Sequence, residues 1–116
     1  MKKFLAIYLG SAEAMAKWMA MEGDEKESKE KAGMEAWMKW ATENKKSIVD
    51  MGSPIGKTKL VNKDGVSEVK NEIGAYTVVE AESHEEAAKL FLNHPHFTHF
   101  PGDRIEVMEC LPMPKI

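Results

Sequence analysis

Three histidines lie within ten residues near the C-terminal end of the chain, in the segment His-Pro-His-Phe-Thr-His-Phe-Pro-Gly-Asp at positions 94–103. Imidazole changes its charge near neutral pH, so histidines serve as acid–base groups and as metal ligands. The carboxylate that ends the segment belongs to Asp103 and could take part in proton transfer. We predict that His96, His99 and Asp103 are catalytic. We also predict that His94 helps to bind a ligand.

The same segment admits two other interpretations. His96 and His99, together with Asp103 or Glu106, would offer three or four ligands of the kinds that zinc accepts. Their spacing matches no established metal motif, and a Pro-rich loop needs other elements to hold its ligands, so we predict neither a metal nor any other cofactor. For His94 the alternative is a position at the C-terminal end of a helix, where the helix dipole favours a positive charge.

The elements that flank this segment are a strand and helix before it and a strand after it. Residues 73–83 are apolar and β-branched, with an alternation that continues to the end of the strand. Ser83, followed three residues later by Glu86, predicts the start of a helix. Pro95 ends that helix at or before His94. Residues 103–111 then predict the last strand.

The N-terminal half is interpreted as a looser copy of this unit. Residues 3–9 are apolar on both faces, which is typical of a central strand. Ser11 is a plausible N-cap for a helix over residues 12–21. A charged break follows at 22–28, and then a second helix whose firm part spans 34–51 and which closes at Gly52.

A stripe of methionines and tryptophans follows these helices at helical spacing, and we interpret it as core. The two tyrosines, Tyr8 and Tyr76, both lie on predicted strands. We predict that they bind a ligand through hydroxyl groups that point into a cavity.

A turn signal at residues 62–65 separates short strands predicted at 57–61 and 66–69. The element order is then βαββαβ, which is the ferredoxin-like split unit of α+β class: an antiparallel sheet with helices on one face. The other face carries apolar residues without a cover, and a second copy of the chain would cover them. We therefore predict a homodimer through the sheet face. The tail at 112–116 contains two prolines and is expected to be loose.

Several stretches resemble the YciI-like proteins, also called the YCII-related or DGPF-domain family. They are Gly-Ala-Tyr-Thr-Val-Val-Glu-Ala at 74–81, the following residues 83–88, His94-Pro95, and Gly-Asp-Arg-Ile-Glu-Val at 102–107. The resemblance implies a ferredoxin-like fold in the dimeric α/β-barrel superfamily, whose members include small-molecule lyases and monooxygenases as well as regulatory modules. In the family, an early His pairs with an Asp; here the first histidine is His84, and Asp64-Gly65 is followed by Val-Ser.

Composition limits the remaining classes of function. The 116 residues are enough for one domain, 1–116, and the formal net charge of −3 argues against nucleic acid as a partner. No apolar run is long enough for a membrane span, and the N-terminal run is too short for a signal peptide, so we expect a cytoplasmic protein. The single Cys110 excludes an internal disulfide.

We therefore expect a YciI-like homodimer that binds a small organic molecule and carries out acid–base, lyase-like chemistry. The alternative is a non-catalytic regulatory or interaction module.

Overall fold

A four-stranded antiparallel sheet forms the centre of the molecule in the computed structural model, which describes residues 1–114. Its strands are β1 (Lys2–Leu9), β2 (Ile48–Asp50), β5 (Ile73–Ala81) and β6 (Arg104–Glu109), in the order β2-β5-β1-β6. β1 is central, as its two apolar faces predict, and pairs along its length with β5 and β6. This order is that of a ferredoxin-like fold, so the predicted α+β class is confirmed.

Helices cover one face of this sheet. Along the chain they are α1 (Ala12–Ala20), α2 (Gly23–Glu43), α3 (His84–Lys89) and α4 (Pro95–Thr98). The core lies between α2, α3 and the sheet and contains Phe4, Ala6, Tyr8, Trp40, Ala41, Val79, Ala87 and Phe91. The Trp40 indole N–H donates to the Leu90 carbonyl at 2.9 Å, which ties α2 to the end of α3. Within residues 1–114, no helix is both long and apolar enough to cross a bilayer.

The second predicted helix is too long at its C-terminal end. The chain forms two helices, α1 and α2, and α2 stops at Glu43, where Asn44 caps it by donating to the Trp40 carbonyl. Residues 48–50 form strand β2 instead, with Ile48 opposite Val79 of β5. Two β-branched residues favour this pairing, and an available sheet edge outweighs a helical pattern that is only local. Gly52 has φ of 73° in the turn that follows and does not end a helix.

The predicted hairpin forms but stands apart from the sheet. Strands β3 (Thr58–Asn62) and β4 (Gly65–Val69) pair only with each other, and nearly all of their residues are exposed. The second strand of the ferredoxin-like unit is therefore residues 48–50, and the predicted strand at 57–61 belongs to an insertion.

The chain between β5 and β6 contains one more turn of helix than predicted. Ser83 caps α3 as expected, by accepting from the Glu86 N–H at 3.1 Å. α3 then ends at Lys89, and Asn93 has φ of 58° before Pro95 begins the short helix α4. Of the predicted loose tail, residues 112–114 are exposed and outside any strand, and residues 115–116 lie outside the described residues.

Candidate functional site

A cavity of about 800 Å³ opens at one end of the sheet, between α1, α2 and the turns that follow β1, β2 and α4. We call it the larger cavity. Most of the side chains around it are apolar, including Met15, Met19, Met34, Trp37 and Met38. The titratable groups on its wall include Tyr8, Tyr76 and His96, with Lys70 and Glu72 beside them. Such a mixture of apolar walls and a few polar groups is typical of small-molecule sites.

A buried chain of hydrogen bonds supports Tyr8 from behind. Its hydroxyl lies 2.8 Å from Thr77 Oγ1 and 3.5 Å from His94 Nε2. Thr77 Oγ1 also lies 3.0 Å from the Met51 carbonyl oxygen, and the His96 backbone N–H donates to His94 Nδ1 at 2.9 Å. Thr77 and His94 are both fully buried, so these bonds are shielded from water.

The two backbone groups at the ends of this series of hydrogen bonds fix the direction of every bond in it. The Met51 carbonyl can only accept, so Thr77 donates to it and accepts from the Tyr8 hydroxyl. The His96 backbone N–H can only donate, so His94 Nδ1 accepts and the ring carries its proton on Nε2, which donates to Tyr8. The hydroxyl proton of Tyr8 is therefore directed at Thr77 and away from the cavity. The hydroxyl is therefore already committed within the protein, although Tyr8 lines the larger cavity.

The rings of Tyr8 and His94 are both held in their neutral forms. Burial, together with repulsion from His96, lowers the pKa of His94 to about 3. Burial raises the pKa of Tyr8 to about 12, although the hydrogen bond to Thr77 lowers it in part. Neither group changes its charge near neutral pH, so they act as structural supports for the site.

His96 is the acid–base candidate that the structure places on the cavity wall. Its Nε2 lies 2.8 Å from the Leu9 carbonyl oxygen and 3.1 Å from the Arg104 carbonyl oxygen. Because carbonyls only accept, Nε2 carries the proton and Nδ1 keeps the lone pair. Burial lowers the pKa of His96, while the two carbonyls and the nearby Asp103 raise it in part. At neutral pH His96 is thus an uncharged ring with a basic nitrogen.

Two glycines let the histidine segment fold against the cavity. A Cβ on Gly102 would lie 2.0 Å from ring atoms of His96, so the ring fits only against a glycine. A Cβ on Gly33 of α2 would lie 2.5 Å from the Phe100 ring, so a glycine in the helix lets Phe100 pack closely. The Asp103 N–H donates to the Leu9 carbonyl at 3.1 Å and fixes the end of the loop to β1.

The other predicted site residues are placed apart from His96. His94 is buried behind Tyr8 and does not line the cavity; it begins α4, so the alternative of a charged group at a helix C-terminus is wrong. His99 is exposed, with Nδ1 2.8 Å from Thr98 Oγ1, and it lines a second, smaller cavity. Asp103 is exposed and accepts from the Arg104 guanidinium at 2.9 Å. Tyr76 borders the larger cavity from the face of β5 opposite to Thr77.

No metal arrangement forms from these groups. Across residues 1–114, no three His, Cys, Asp or Glu side chains are grouped so as to hold a metal ion. In particular, His96 and His99 are not grouped with Asp103 or Glu106 in this structure.

Sequence reasoning missed several residues of the site. Thr77 and Gly102 support the polar groups, and Trp37 forms part of the apolar wall against the His94 ring, with their centroids 4.4 Å apart. A signal for Thr77 existed, because it is the one polar residue on a strand face that otherwise holds Ala75, Val79 and Ala81. Gly102 gave no signal, since its importance depends on a ring that only the folded chain brings near.

The interpretation of the methionine and tryptophan stripe as core is wrong for most of its members. α1 has no buried residue, and Met15, Met19, Met34 and Met38 are between 43% and 69% exposed. Only Trp40 of the predicted set of tryptophans is buried. The other side chains border the larger cavity, where flexible methionines suit the binding of a ligand.

Comparisons with known proteins relate the chain to one fold. No protein-family model and no curated protein matches the sequence. Among solved structures, the chain is similar to 5-chloro-2-hydroxyhydroquinone dehydrochlorinase (TftG) from Burkholderia phenoliruptrix AC1100, in complex with 2,5-dihydroxybenzoquinone. The sequence identity is 16%, the TM-score is 0.52, and the match covers 90% of this chain and 89% of that chain. At this level of identity the likeness concerns the fold alone, and it agrees with the α+β fold described above.

Proposed function

We propose that this chain is a YciI-like protein that binds a small aromatic molecule in the larger cavity and transfers a proton to or from it through His96. The observation that supports this proposal is the state of His96. It is an uncharged, 8% exposed ring on the wall of an apolar cavity, with its N–H held by two carbonyls. A base in this state is ready to accept a proton, and two fixed bonds hold its ring in place.

The simplest reaction of this kind is an elimination. His96 Nδ1 takes a proton from the ligand, and the electron pair left behind forms a double bond. A leaving group on the neighbouring atom departs with its own bonding electrons. The reaction requires no redox cofactor. TftG is named as a dehydrochlorinase, which is a lyase of this type, and this likeness in fold makes elimination the first reaction to test.

The ligand class follows from the walls of the cavity. Trp37, Phe100 and the ring of Tyr8 offer flat apolar surfaces, which favour a planar ring. The Tyr8 hydroxyl donates to Thr77 and is not free to donate to a ligand. Polar groups of the ligand are therefore expected near His96 and near Lys70 and Glu72. TftG was solved with 2,5-dihydroxybenzoquinone, and hydroxylated quinones and phenols are therefore the first compounds to screen.

The test compares wild type with His96→Gln. The Gln amide N–H can replace Nε2–H as donor to Leu9 and Arg104, but the side chain lacks a basic nitrogen. Hydroxylated quinones that bind should raise the melting temperature of both proteins. Turnover is measured on a chlorinated hydroxyhydroquinone, which carries the chloride leaving group that the elimination needs. Followed by ultraviolet absorbance, it should fall by roughly 10²-fold or more in His96→Gln. The matched control is His84→Gln, because His84 bonds to the Val107 carbonyl at 2.7 Å and does not line the cavity. Equal turnover by wild type and His96→Gln would contradict the proposal.

A non-catalytic binding module is the second candidate. It is favoured by the neutral, fully bonded state of Tyr8 and His94 and by the absence from the sequence of an early histidine to match the family pair. Ligands that stabilise the protein without any turnover, in wild type as in His96→Gln, would support this candidate.

We also propose that two copies of the chain pair through the sheet face that the helices leave open. Leu5, Ile7 and Val78 lie on this face, because they alternate along their strands with the core residues of the helix-covered face. Met108, which pairs with Leu5, is 39% exposed. A second copy that covers this face would bury these apolar side chains, with the exposed Glu106 beside Ile7 on the same face. Ile7→Lys should convert a dimer to a monomer by native mass, whereas Val61→Lys on the exposed hairpin should not. A monomeric wild type would contradict the pairing.

A further inference from the structure

A second cavity of about 440 Å³ lies beside the larger one and forms where three elements meet. The last turns of α1, the first turns of α2 and the loop after α4 surround it. We call it the smaller cavity. Trp18, Phe100 and Pro101 line both cavities, so these residues form a wall shared by the two.

The charged groups on the smaller cavity are all basic. Lys17 of α1 and Lys29 of α2 line it, together with the imidazole of His99 and the Thr98 hydroxyl. Within the described chain, no Asp or Glu is among its lining residues. The glutamates nearest to the two lysines, Glu13 and Glu25, do not line the cavity. An anion entering the cavity would meet attractive groups from two helices and a loop.

Both lysines have only weak partners on their own helices. Lys17 Nζ lies 3.7 Å from Glu13, and Lys29 Nζ lies 3.6 Å from Glu25, each one turn away. These four side chains are 51% to 83% exposed. Exposed ion pairs of this kind contribute little, so either ammonium group can turn towards a ligand at small cost.

The wall beneath the lysines is aromatic and fixed. The Trp18 and Phe100 rings lie 5.5 Å apart at their centroids, and Phe100 also contacts Trp37 at 5.8 Å. The close fit of Phe100 against Gly33 holds this ring in place. A flat apolar group is therefore expected to pack on the same wall that positions the basic groups above it.

We infer that the smaller cavity binds the anionic group of an aromatic ligand, through Lys17, Lys29 and His99. The ring of that ligand lies against Trp18 and Phe100, towards the larger cavity. Carboxylates and phosphates share the required chemistry, since both offer charged oxygens to ammonium groups. The inference names a class of ligand for the proposed binding function and rests on it in that respect.

The test uses three probes that share one ring: 1-naphthoate, 1-naphthyl phosphate and the neutral 1-naphthamide. Their affinities are measured by calorimetry for wild type and for the double variant Lys17→Gln, Lys29→Gln. The matched control is Lys31→Gln, Lys39→Gln, which removes the same charge from α2 outside both cavities. Comparison of the two anions then distinguishes a carboxylate site from a phosphate site.

Wild type should bind at least one anion roughly five- to tenfold more tightly than the amide. The preference should disappear in the Lys17, Lys29 variant, remain in the control, and weaken at high salt. An unchanged preference in the Lys17, Lys29 variant would overturn the inference, and so would an equal loss in both variants. The amide reports on the apolar site alone. Failure of the amide to bind wild type counts against the proposed function. A wild type that binds the amide but shows no preference for either anion counts against the inference alone.

Discussion

The floor and the roof of the larger cavity are built in opposite ways. The floor consists of Tyr8, His96 and Gly102, with Thr77 and His94 directly beneath. Its polar side chains are almost completely buried and joined by bonds whose direction is fixed. The roof consists of Met15, Met19, Met34 and Met38 on α1 and α2, and these side chains are largely exposed.

This difference separates two tasks of a binding site. The proposed base His96 must be held in one position and begin in its neutral form, and its contacts in the floor provide for both. Groups that only enclose a ligand gain from adaptability, and methionine provides it with three rotatable bonds and a polarisable sulfur. Substitutions in the floor should therefore have large effects on stability and chemistry, and substitutions in the roof small ones.

At pH 7, the largest effect on stability is expected from Gly102→Ala. The new Cβ would overlap the His96 ring, so the ring must move and its bonds to the Leu9 and Arg104 carbonyls must break. We expect the free energy of unfolding to fall by about 2 kcal/mol or more, in urea unfolding at pH 7. Gly56→Ala is the control, because no atom lies within 4 Å of a Cβ there, and its stability should stay within about 0.5 kcal/mol. A Gly102→Ala protein as stable as wild type would show that the ring is not confined as described.

Acid is expected to have an effect that is absent at pH 7 and grows as the pH falls. The pKa values of His94 and His96 are lowered in the folded protein, so the unfolded chain binds protons to these groups first. Their contribution to stability is complete above about pH 6.5 and is lost as the pH falls from there towards about 3 for His94. The loss for each histidine is at most about 1.4 kcal/mol per pH unit.

His94→Phe isolates this contribution. The variant should be less stable at pH 7 by about 1–3 kcal/mol, because the His96 N–H loses its acceptor. It should also lose less stability than wild type between pH 6 and pH 4, measured by urea unfolding at each pH. Parallel curves for the two proteins would mean that His94 does not remain neutral in the folded state.

The smallest effect is expected from the roof. The double variant Met34→Leu, Met38→Leu nearly conserves volume, so its free energy of unfolding should stay within about 0.5 kcal/mol of wild type. Ligand affinities should change only severalfold, with fewer different compounds bound in the same thermal-shift screen. A loss of stability well above 1 kcal/mol would instead show that these methionines are packed in solution, as they would be under a partner subunit.

Local signals predicted the parts of this fold that depend on local chemistry. Ser11 and Ser83 begin helices because each hydroxyl accepts an N–H three residues later, and both caps are confirmed. The strand over residues 3–9 and the turn at 62–65 likewise follow from neighbouring residues. β2 was missed because its three residues continue the helical pattern of residues 34–51. They form a strand only through pairing with β5, which is remote in sequence.

The candidate site was predicted only in outline. The histidine segment was recognised from its composition, but nothing in it distinguished His96, at the cavity, from His94 behind it and His99 outside it. Those differences arise from contacts across the fold: Tyr8 and His94 are 86 positions apart, and His96 meets Leu9 across 87. The sequence could indicate that histidines and tyrosines belong to the site. Their distances from one another and their burial follow from the topology of the fold.

The isolated hairpin of β3 and β4 offers a site for engineering. It is inserted between β2 and β5, pairs with neither, and presents nearly all of its residues to solvent. Among residues 1–114, the strands of the four-stranded sheet pair with one another and not with the hairpin, so the sheet does not depend on the hairpin's backbone hydrogen bonds. A peptide tag or reporter grafted at its tip, between Lys63 and Asp64, would therefore be displayed away from both cavities while the rest of the chain folds around its own contacts.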